Sequence, residues 1–276
     1  MKVLGVDVGG SYTKFVIWDG KRVVKRGRLK WNYGDDWKDL KILVDKLKED
    51  FDARCVGFAI RGVWTKEEKR KLEKVLNGKV VSDVEGVFFD AFGNNDGMVL
   101  IAGTGSICFA KKGNKTFRYG GYGYLFSDWG SAFWVGKMAV ELLLKKESFL
   151  RMAIFGTEDL EKIRLKVKRI MELDKGKMIK EVASFSKIVL KVAEMGDEDA
   201  NYIVNFAIRE LLGMCIRVYE ISGISSLALH GGMFKSEFLR ERFLNLAKRY
   251  NFDIKGYGFD GALGVAKFIT ASGGLK

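Results

Sequence analysis

The chain has 276 residues, of which 47% are apolar, so it is long enough for two ordinary domains or one large domain with a buried core. Its three cysteines and single histidine are too few and too scattered for a disulfide framework, a zinc site or a histidine-based catalytic triad. No segment reaches the roughly 18 uncharged residues that a membrane span needs, and the first residues lead straight into a predicted strand. We therefore expect a soluble, cytoplasmic protein that does not interact with membranes.

The formal net charge is +13, from 48 Lys and Arg residues against 35 Asp and Glu residues. Such a surplus is compatible with a nucleic-acid-binding surface or with well-solvated helices. Basic residues concentrate at 66–79 and 162–180, but acidic residues lie among or beside them, as on helices with i,i+4 ion pairs. Because no nucleic-acid-binding motif accompanies the charge, the sequence favours solvated helix faces and predicts no nucleic-acid partner. Abundant Lys and Glu with no Gln is typical of heat-adapted proteins.

The first third of the chain predicts a β-meander followed by alternating helices and strands. The predicted elements are strands at 3–7, 12–18 and 22–29, a helix at 37–50, a strand at 55–60, a helix at 66–76 and a strand at 79–82. Asp19-Gly20 is the hairpin signal of the meander, and Thr65 with Glu68 has the spacing of a capping box. A meander followed by this alternation implies a mixed sheet covered by helices.

The remainder of the chain starts again with a strand and a glycine turn. The predicted elements are strands at 98–102, 107–110 and 116–119, helices at 131–146, 158–171, 177–194 and 198–222, a strand at 226–229, a helix after Ser236, a strand at 253–256 and a terminal helix after Gly261. No linker separates the halves. We expect domains at 1–97 and 98–276, with the alternative that the terminal helix packs back on the first domain.

Three glycine-rich turns follow apolar strands, at Gly9-Gly10-Ser11, at 103–106 and at Gly231-Gly232. Glycine turns let backbone N–H groups approach a phosphate, and nearby hydroxyls add donors. Each turn taken alone is equally compatible with a plain hairpin. The chain contains no GxxxxGK[ST] segment, so a P-loop NTPase is excluded.

Taken together and in order, these segments resemble a known family. The stretches 7–14, 82–83, 100–106 and 120–131 are similar to the N-acetylglucosamine kinase branch of the sugar kinase, heat-shock protein and actin superfamily, which is related to the ATPases that activate benzoyl-CoA reductases and 2-hydroxyacyl-CoA dehydratases. The resemblance covers nearly the whole chain and is most specific at 103–136. It implies an α/β fold of two ribonuclease-H-like, actin-like ATPase domains around an ATP cleft. The implied activity is ATP-dependent transfer of the γ-phosphoryl group to a hydroxyl of an amino sugar or hexose, with N-acetylglucosamine or glucosamine as the leading substrates.

The same resemblance implies roles for individual residues. Asp83 matches the family's catalytic Asp, and Asp7 would act through Mg²⁺ and its water ligands. The β- and γ-phosphates of ATP would be held by Gly9, Gly10, Ser11, Thr13, Lys14, Gly103, Thr104, Gly105 and Ser106, and the adenosine by Gly231, Gly232 and Gly261. The sugar pocket would be lined by Asn32, Asp83, Gly120, Gly121 and Asp128. Kinases of this type are often dimers, so a homodimer is a possible assembly.

Two departures from the family pattern leave alternatives open. Val84 follows the catalytic Asp where the family has Ala, and Trp129 replaces an acid, which leaves the identity of the sugar open. Asp83 also fits the N-cap of a helix at 85–91. The alternative functions are an ATPase that activates an iron–sulfur reductase or dehydratase, and a non-catalytic basic nucleic-acid-binding protein. Relatives of the first kind bridge a cluster with cysteines beside glycine-rich turns, and no such pair occurs here.

Overall fold

The structure, a computed structural model, describes residues 1–9, 12–31 and 34–273. The chain forms two compact units. The first contains residues 1–99 together with the C-terminal segment from Phe259, and the second contains residues 100–258. The terminal helix therefore lies in the first unit. Within the described residues, no helix is both long enough and apolar enough to cross a membrane.

The first unit is built on a five-stranded sheet. Its strands are Lys2–Val8 (β1), Thr13–Trp18 (β2), Val23–Leu29 (β3), Ala53–Ile60 (β4) and Lys79–Ser82 (β5), and its helices are Trp37–Phe51 (α1), Lys66–Leu76 (α2), Asp83–Phe92 (α3) and Gly261–Ala271 (α10). The strand order is β3-β2-β1-β4-β5. β2 pairs antiparallel with β1 and β3, whereas β4 pairs parallel with β1 and β5, so the sheet is mixed as predicted.

The second unit has a sheet of its own. Its strands are Gly97–Ala102 (β6), Ser106–Lys112 (β7), Lys115–Gly120 (β8), Ser226–His230 (β9) and Asp253–Tyr257 (β10), and its helices are Ala132–Leu143 (α4), Leu150–Phe155 (α5), Leu160–Met171 (α6), Lys175–Glu194 (α7), Glu198–Ser222 (α8) and Glu237–Arg249 (α9). The order is β10-β9-β6-β7-β8, with β9 parallel to β10 and β7 antiparallel to β8. Counted along the chain, both sheets therefore have the order third, second, first, fourth, fifth. The predicted class of two α/β domains is confirmed.

Local sequence signals explain where several elements begin and turn. The Asp19 carboxylate accepts the backbone N–H of Arg22 at 2.8 Å, and Gly20 has φ +100°, so the predicted hairpin forms. The Thr65 hydroxyl accepts the backbone N–H of Glu68 at 3.1 Å, and the Glu68 carboxylate accepts that of Thr65 at 2.7 Å. This reciprocal pair is the predicted capping box, and it fixes the start of α2.

Two helices differ from the sequence expectation. α3 begins at Asp83 rather than near residue 85. The short helix α5 was not predicted, because Phe149 at its N-cap position offers no side-chain hydrogen bond and therefore no capping signal.

The first sheet buries apolar side chains on both faces. On one face, Ile17 and Phe58 belong to a core that includes Leu40 and Val44 of α1 and Leu76 of α2. The other face is covered by α3 and α10. α10 is almost wholly apolar on its buried side, which explains why a C-terminal segment completes this unit.

Helix α10 approaches its neighbours at distances that exclude side chains. A Cβ added to Gly264 would lie 1.9 Å from the carbonyl oxygen of Gly86 in α3. A Cβ added to Gly5 of β1 would lie 1.9 Å from the carbonyl oxygen of Ala262. Real Cβ atoms do not approach other atoms so closely, so the packing position of α10 requires glycine at both Gly264 and Gly5.

We predict that Gly264→Ala lowers the free energy of unfolding by about 1 to 3 kcal/mol, because the methyl group forces α10 away from α3. Gly213→Ala is the matched control, since an added Cβ at that helical glycine meets no atom within 4 Å. The control should gain up to about 1 kcal/mol from the lower entropy of its unfolded state. Urea titrations of the two variants measure both values. Equal effects would contradict the close packing of α10.

Candidate active site

The first carboxylate of the candidate site belongs to Asp7, near the end of β1. Asp7 lies opposite Lys14 in the β1–β2 register, so the two side chains share one face of the sheet. The N-terminus of α10 covers this position, because a Cβ added to Gly261 would lie 3.3 Å from Cγ of Asp7. Asp7 is thus partly buried between a cross-strand lysine and the start of a helix.

Burial raises the pKa of Asp7 from 3.8 to about 7. The removal of the carboxylate from water is the largest cause, and the negative charges of Asp83 and Asp260 raise the pKa further. The ammonium group of Lys14 acts in the opposite direction. The charges of Asp83 and Asp260 are therefore felt at Asp7.

Asp83 is not the N-cap of α3, which corrects the capping alternative given above. Ser82 is the N-cap, with its hydroxyl accepting the backbone N–H of Glu85 at 3.3 Å. The Glu85 carboxylate accepts the backbone N–H of Ser82 at 2.7 Å and pairs with Lys69 at 2.6 Å. Asp83 occupies the first position of the helix, so its carboxyl group is not needed to cap α3.

The pKa of Asp83 is raised from 3.8 to about 6, chiefly by burial. A hydrogen bond from the backbone N–H of Val84 and the charge of Arg61 oppose this rise, and the charge of Glu85 adds to it. A carboxyl group with a pKa of this size exchanges a proton readily near neutral pH. This property agrees with the general-base role that the family resemblance implies for Asp83.

The turn at residues 103–106 of the second unit is tied to the start of α4. Backbone N–H groups of Ala132 and Phe133 donate to the carbonyl oxygens of Gly103 and Thr104, at 2.9 and 3.3 Å. The next N–H of the helix, that of Trp134, donates to the Ser131 hydroxyl at 3.2 Å. These bonds satisfy the orphan donors of α4 from within the protein and hold the turn in place.

Asp128 binds the same turn from the loop at 120–130. Its buried carboxylate accepts the backbone N–H of Ser106 at 3.2 Å, and a Cβ added to Gly105 would lie 2.7 Å from Oδ2. The hydroxyl of Ser106 donates to the carbonyl oxygen of Trp129 at 2.7 Å. Asp128 has φ +65°, a conformation that residues other than glycine rarely adopt. The loop and the turn therefore form one connected unit.

The remaining predicted site residues are placed as follows. Thr13 is fully buried on the opposite face of β2 from Lys14, and its hydroxyl has no hydrogen-bond partner among the described residues. Gly231 has φ +109° and lies against the backbone of Ala102. Gly9 directly follows β1, Gly120 and Gly121 begin the loop at 120–130, and Gly232 precedes the short 3₁₀ turn Met233–Lys235. Gly10, Ser11 and Asn32 lie outside the described residues.

Gly261 was predicted beside Gly231 and Gly232 at the adenosine. It lies in the first unit, against the carboxylate of Asp7, whereas Gly231 and Gly232 lie in the second unit. Its observed neighbour is thus the residue predicted to act through Mg²⁺.

Sequence reasoning missed Asp260 and Arg61. Asp260 is the N-cap of α10, where its Oδ1 accepts the backbone N–H of Ala262 at 3.0 Å and its Oδ2 accepts a hydrogen bond from Arg26 at 3.1 Å. An Asp directly before an apolar helical run is a recognisable capping signal, so Asp260 could have been found. Arg61 follows β4, and no sequence signal connects it with Asp83.

The oxygen ligands present fit a magnesium ion. Within the described ranges, no group of three or more His, Cys, Asp or Glu side chains is arranged to hold a metal ion unaided. Mg²⁺ is usually bound by one or two carboxylates together with water and substrate phosphates, and the single carboxylate of Asp7 fits this mode of binding. A cation there would also offset the burial and the carboxylate repulsion that together raise the pKa of Asp7.

Two α/β units with the same sheet order, and glycine turns at the ends of their first strands, define the class of actin-like ATPases and sugar kinases. The chain belongs to the BadF/BadG/BcrA/BcrD ATPase family, which matches residues 4–268. ATP is therefore its nucleotide substrate, as predicted.

Individual relatives agree with this assignment. The chain is 27% identical over 278 residues to an N-acetylmuramic acid/N-acetylglucosamine kinase from Clostridium acetobutylicum, covering 88% of this chain and 90% of the relative. Its fold is similar to that of a Porphyromonas gingivalis protein proposed to be an N-acetylglucosamine kinase, with a TM-score of 0.76, 19% identity and coverage of 98% and 99%. It is also similar to a ROK family glucokinase from Streptomyces griseus solved with glucose and AMPPNP, with a TM-score of 0.61, 14% identity and coverage of 96% and 98%.

The contact between Gly105 and Asp128 gives a prediction for a double-mutant cycle. Gly105→Ala should lower the free energy of unfolding by about 1 to 3 kcal/mol, because the methyl group overlaps the Asp128 carboxylate. In the Asp128→Ala background the same substitution should cost clearly less, since the overlapping atoms are gone. Urea denaturation of the four proteins measures the coupling, and strictly additive costs would contradict the contact.

The raised pKa of Asp7 gives a prediction for pH dependence without Mg²⁺. Between pH 3.8, the pKa in the unfolded state, and about pH 7, the pKa in the folded state, the folded protein keeps the Asp7 proton while the unfolded chain loses it. The free energy of unfolding that this proton contributes is therefore lost as the pH rises through that window. Asp7→Asn should therefore gain stability relative to the parent from pH 5 to pH 8, by up to a few kcal/mol at about 1.4 kcal/mol per pKa unit.

Asp19→Asn is the control for this measurement. The pKa of Asp19 is lowered by the backbone N–H groups of Arg22 and Lys21, so Asp19 is ionised in both states at pH 5 and at pH 8. Its stability change should be the same at the two pH values. A similarly pH-independent change for Asp7→Asn would show that the Asp7 carboxyl titrates normally.

Proposed function

We propose that the protein is an ATP-dependent sugar kinase that transfers the γ-phosphoryl group of ATP to a hydroxyl of an amino sugar or hexose. The observation that carries this proposal is Asp83, a partly buried carboxyl group with a pKa near 6 that is not used to cap its helix. Because a carboxylate base can activate water as well as a sugar hydroxyl, the choice of a sugar as acceptor rests on the curated relative. The curated relative is named for phosphorylating N-acetylmuramic acid and N-acetylglucosamine, which makes an amino sugar the leading acceptor.

In the proposed reaction, Asp83 accepts the proton of the attacking sugar hydroxyl. The new bond forms between that oxygen and the γ-phosphorus, while the bond to the β,γ-bridging oxygen breaks and ADP leaves with its electron pair. Such a transfer demands little covalent chemistry from the protein, so positioning and charge stabilisation account for most of the catalysis. The guanidinium group of Arg61 lowers the pKa of Asp83 and so keeps part of the carboxyl population ionised.

Mg²⁺ would be held by Asp7 with water and ATP oxygens, and it would neutralise charge on the phosphates. Lys14 lies on the same face of the sheet and supplies a second positive charge. In this proposal the backbone N–H groups of Thr104 and Gly105 contribute to phosphate binding, whereas those of Gly9, Gly103 and Ser106 already donate to Tyr12, Gly105 and Asp128. The hydroxyl of Thr13 is buried on the other face, so its contribution is structural or requires rearrangement.

The sugar is assigned to the loop at 120–130 of the second unit. In our proposal, Gly120, Gly121 and Asp128 contact the sugar, as the family resemblance implies. Tyr122, Leu125 and Phe126 of this loop are 64%, 69% and 79% exposed, which is unusual for such large apolar side chains beside a buried carboxylate. They provide an apolar surface for one face of a sugar ring or for an N-acyl group.

Asp128 then has two neighbours, the sugar and the turn at 103–106. Because its carboxylate already binds the N–H of Ser106, a sugar hydroxyl that donates to Asp128 would affect the same turn that binds phosphate. This arrangement links acceptor binding to the position of the phosphate-binding turn.

The two alternative functions are not favoured. Cys108 and Cys215 are fully buried, and burial together with contact between the two thiols raises the pKa of Cys108, so neither is available to bridge an iron–sulfur cluster between subunits. Many surface lysines are held in local ion pairs, as in the pairs of Lys71 with Glu67 and of Lys177 with Asp174, which fits solvated helices rather than a nucleic-acid surface. We further propose action in the cytoplasm, where ATP is available, and assembly as a homodimer.

The first experiment is an ADP-release assay with Mg²⁺, ATP and a panel of acceptors. The panel contains glucosamine, N-acetylglucosamine, glucose, mannose and N-acetylmuramate. We expect at least one amino sugar to accelerate ADP release well above the rate without acceptor, and mass spectrometry to detect the sugar phosphate. ADP release that is independent of every acceptor would refute the kinase proposal and would favour the alternative function of an ATPase.

We predict that Asp83→Asn lowers kcat by about 10² to 10⁴ with little change in stability, because the amide is not able to accept the hydroxyl proton. Ser82→Ala is the matched control from the adjacent position. It should lower the free energy of unfolding by about 1 kcal/mol through loss of the α3 cap, while kcat changes by only a few-fold. Steady-state kinetics and urea titrations of both variants separate the two roles, and an Asp83→Asn enzyme with nearly parental kcat would remove Asp83 from the mechanism.

A further inference from the structure

A basic groove lies between α8 and α9 of the second unit, apart from every residue assigned to phosphoryl transfer. Its volume is about 370 Å³, within the usual range of roughly 300 to 1,000 Å³ for small-molecule sites. The groove is lined by Asn205, Ile208, Arg209, Arg242, Asn245, Leu246 and Arg249. None of these lining residues is acidic.

The helical spacing of the lining residues makes the groove a continuous feature of two helix faces. On α9 they occupy positions i, i+3, i+4 and i+7 from Arg242, and on α8 positions i, i+3 and i+4 from Asn205. Each helix therefore presents arginine and asparagine toward the groove, with Ile208 and Leu246 as its apolar floor.

Arg242 is fixed in place before any ligand binds. Its Nη1 donates to Oδ1 of Asn201 at 2.7 Å and to Oδ1 of Asn205 at 3.2 Å, and its guanidinium stacks on the ring of Phe238 at 4.0 Å. Asn201 is itself held, because its amide donates to the carbonyl oxygen of Ala193 at 2.9 Å. These contacts use one nitrogen of the guanidinium, which leaves the donors on its other nitrogens available to a ligand.

The three arginines of the groove form no ion pair with the described acidic residues. No Asp or Glu described by the structure lies within ion-pair distance of Arg209, Arg242 or Arg249, whereas Arg217 of α8 pairs with Glu220 at 3.2 Å. Three like charges around one groove repel each other, and a bound anion relieves that repulsion. Guanidinium groups also match phosphate oxygens with paired hydrogen bonds.

We propose that this groove binds a small phosphate monoester or free phosphate, with the phosphate held by the three arginines. The amides of Asn205 and Asn245 suit hydroxyl groups of the attached moiety, and Ile208 with Leu246 suits the apolar face of a sugar ring. The groove has the volume of a small-molecule site, which favours a small ligand over a nucleic acid. The site is independent of the proposed kinase activity.

The test measures phosphate binding to the full chain with the nucleotide site filled. Isothermal titration is performed with inorganic phosphate and with glucose 6-phosphate, in the presence of Mg²⁺ and a saturating non-hydrolysable ATP analogue. The variant is Arg209→Gln combined with Arg249→Gln. The control is Lys191→Gln combined with Lys248→Gln, which removes the same charge from exposed positions on α7 and α9 that do not line the groove.

We expect one phosphate ligand per chain, with a Kd raised about tenfold or more in the arginine variant and unchanged in the lysine control. Tighter binding of glucose 6-phosphate than of inorganic phosphate identifies a phosphorylated sugar as the ligand class, and equal binding identifies free phosphate. The proposal is overturned by parental affinity in the arginine variant, by equal loss in the control, or by absence of binding at millimolar ligand. It is also overturned if a single-stranded oligonucleotide binds at these arginines while both small phosphates do not.

Discussion

The first unit depends on the contact of a C-terminal helix with the first strand of the chain. Backbone atoms of α10 pack directly on Gly5 and Gly86, since Gly264 and the two partner glycines leave no side chains in the way. This contact places Asp260 and Gly261, from the end of the sequence, beside Asp7 from its beginning. The carboxylate cluster exists only because α10 is seated there, so the packing of the helix and the chemistry of the site have one physical cause.

Electrostatics within that cluster are unfavourable in the absence of a cation. Burial and two neighbouring carboxylates raise the pKa of Asp7 to about 7, with only Lys14 in opposition. In the proposed magnesium site, a bound cation would offset this cost and would couple metal binding to the ionisation of Asp7. Asp83 is partly balanced by Arg61 and by a backbone N–H, and its pKa of about 6 suits proton transfer.

In the second unit, one buried carboxylate has a comparable organising role. Asp128 holds the N–H of Ser106 from a loop whose backbone is left-handed at Asp128 itself and at several glycines, including Gly120 and Gly130. The turn at 103–106 is held from the other side by the start of α4. The two loops at either end of the β7–β8 hairpin thus share one set of hydrogen bonds, which in the proposed function would link acceptor binding to phosphate binding.

The sequence by itself determined the local elements and the class of the protein. Turn and capping residues were sufficient to predict the hairpin at Asp19-Gly20 and the capping box of α2, because each of these depends on residues within four positions of one another. The order of motifs from Asp7 to Asp128 was sufficient to identify the family, because it matches the sequence pattern of a known superfamily. Tertiary structure decided what depends on distant contacts: that Gly261 lies against Asp7, and that three arginines from two helices line one groove. Local sequence does not encode these features, since each is set by how closely separate backbones approach and by which charges that approach brings together.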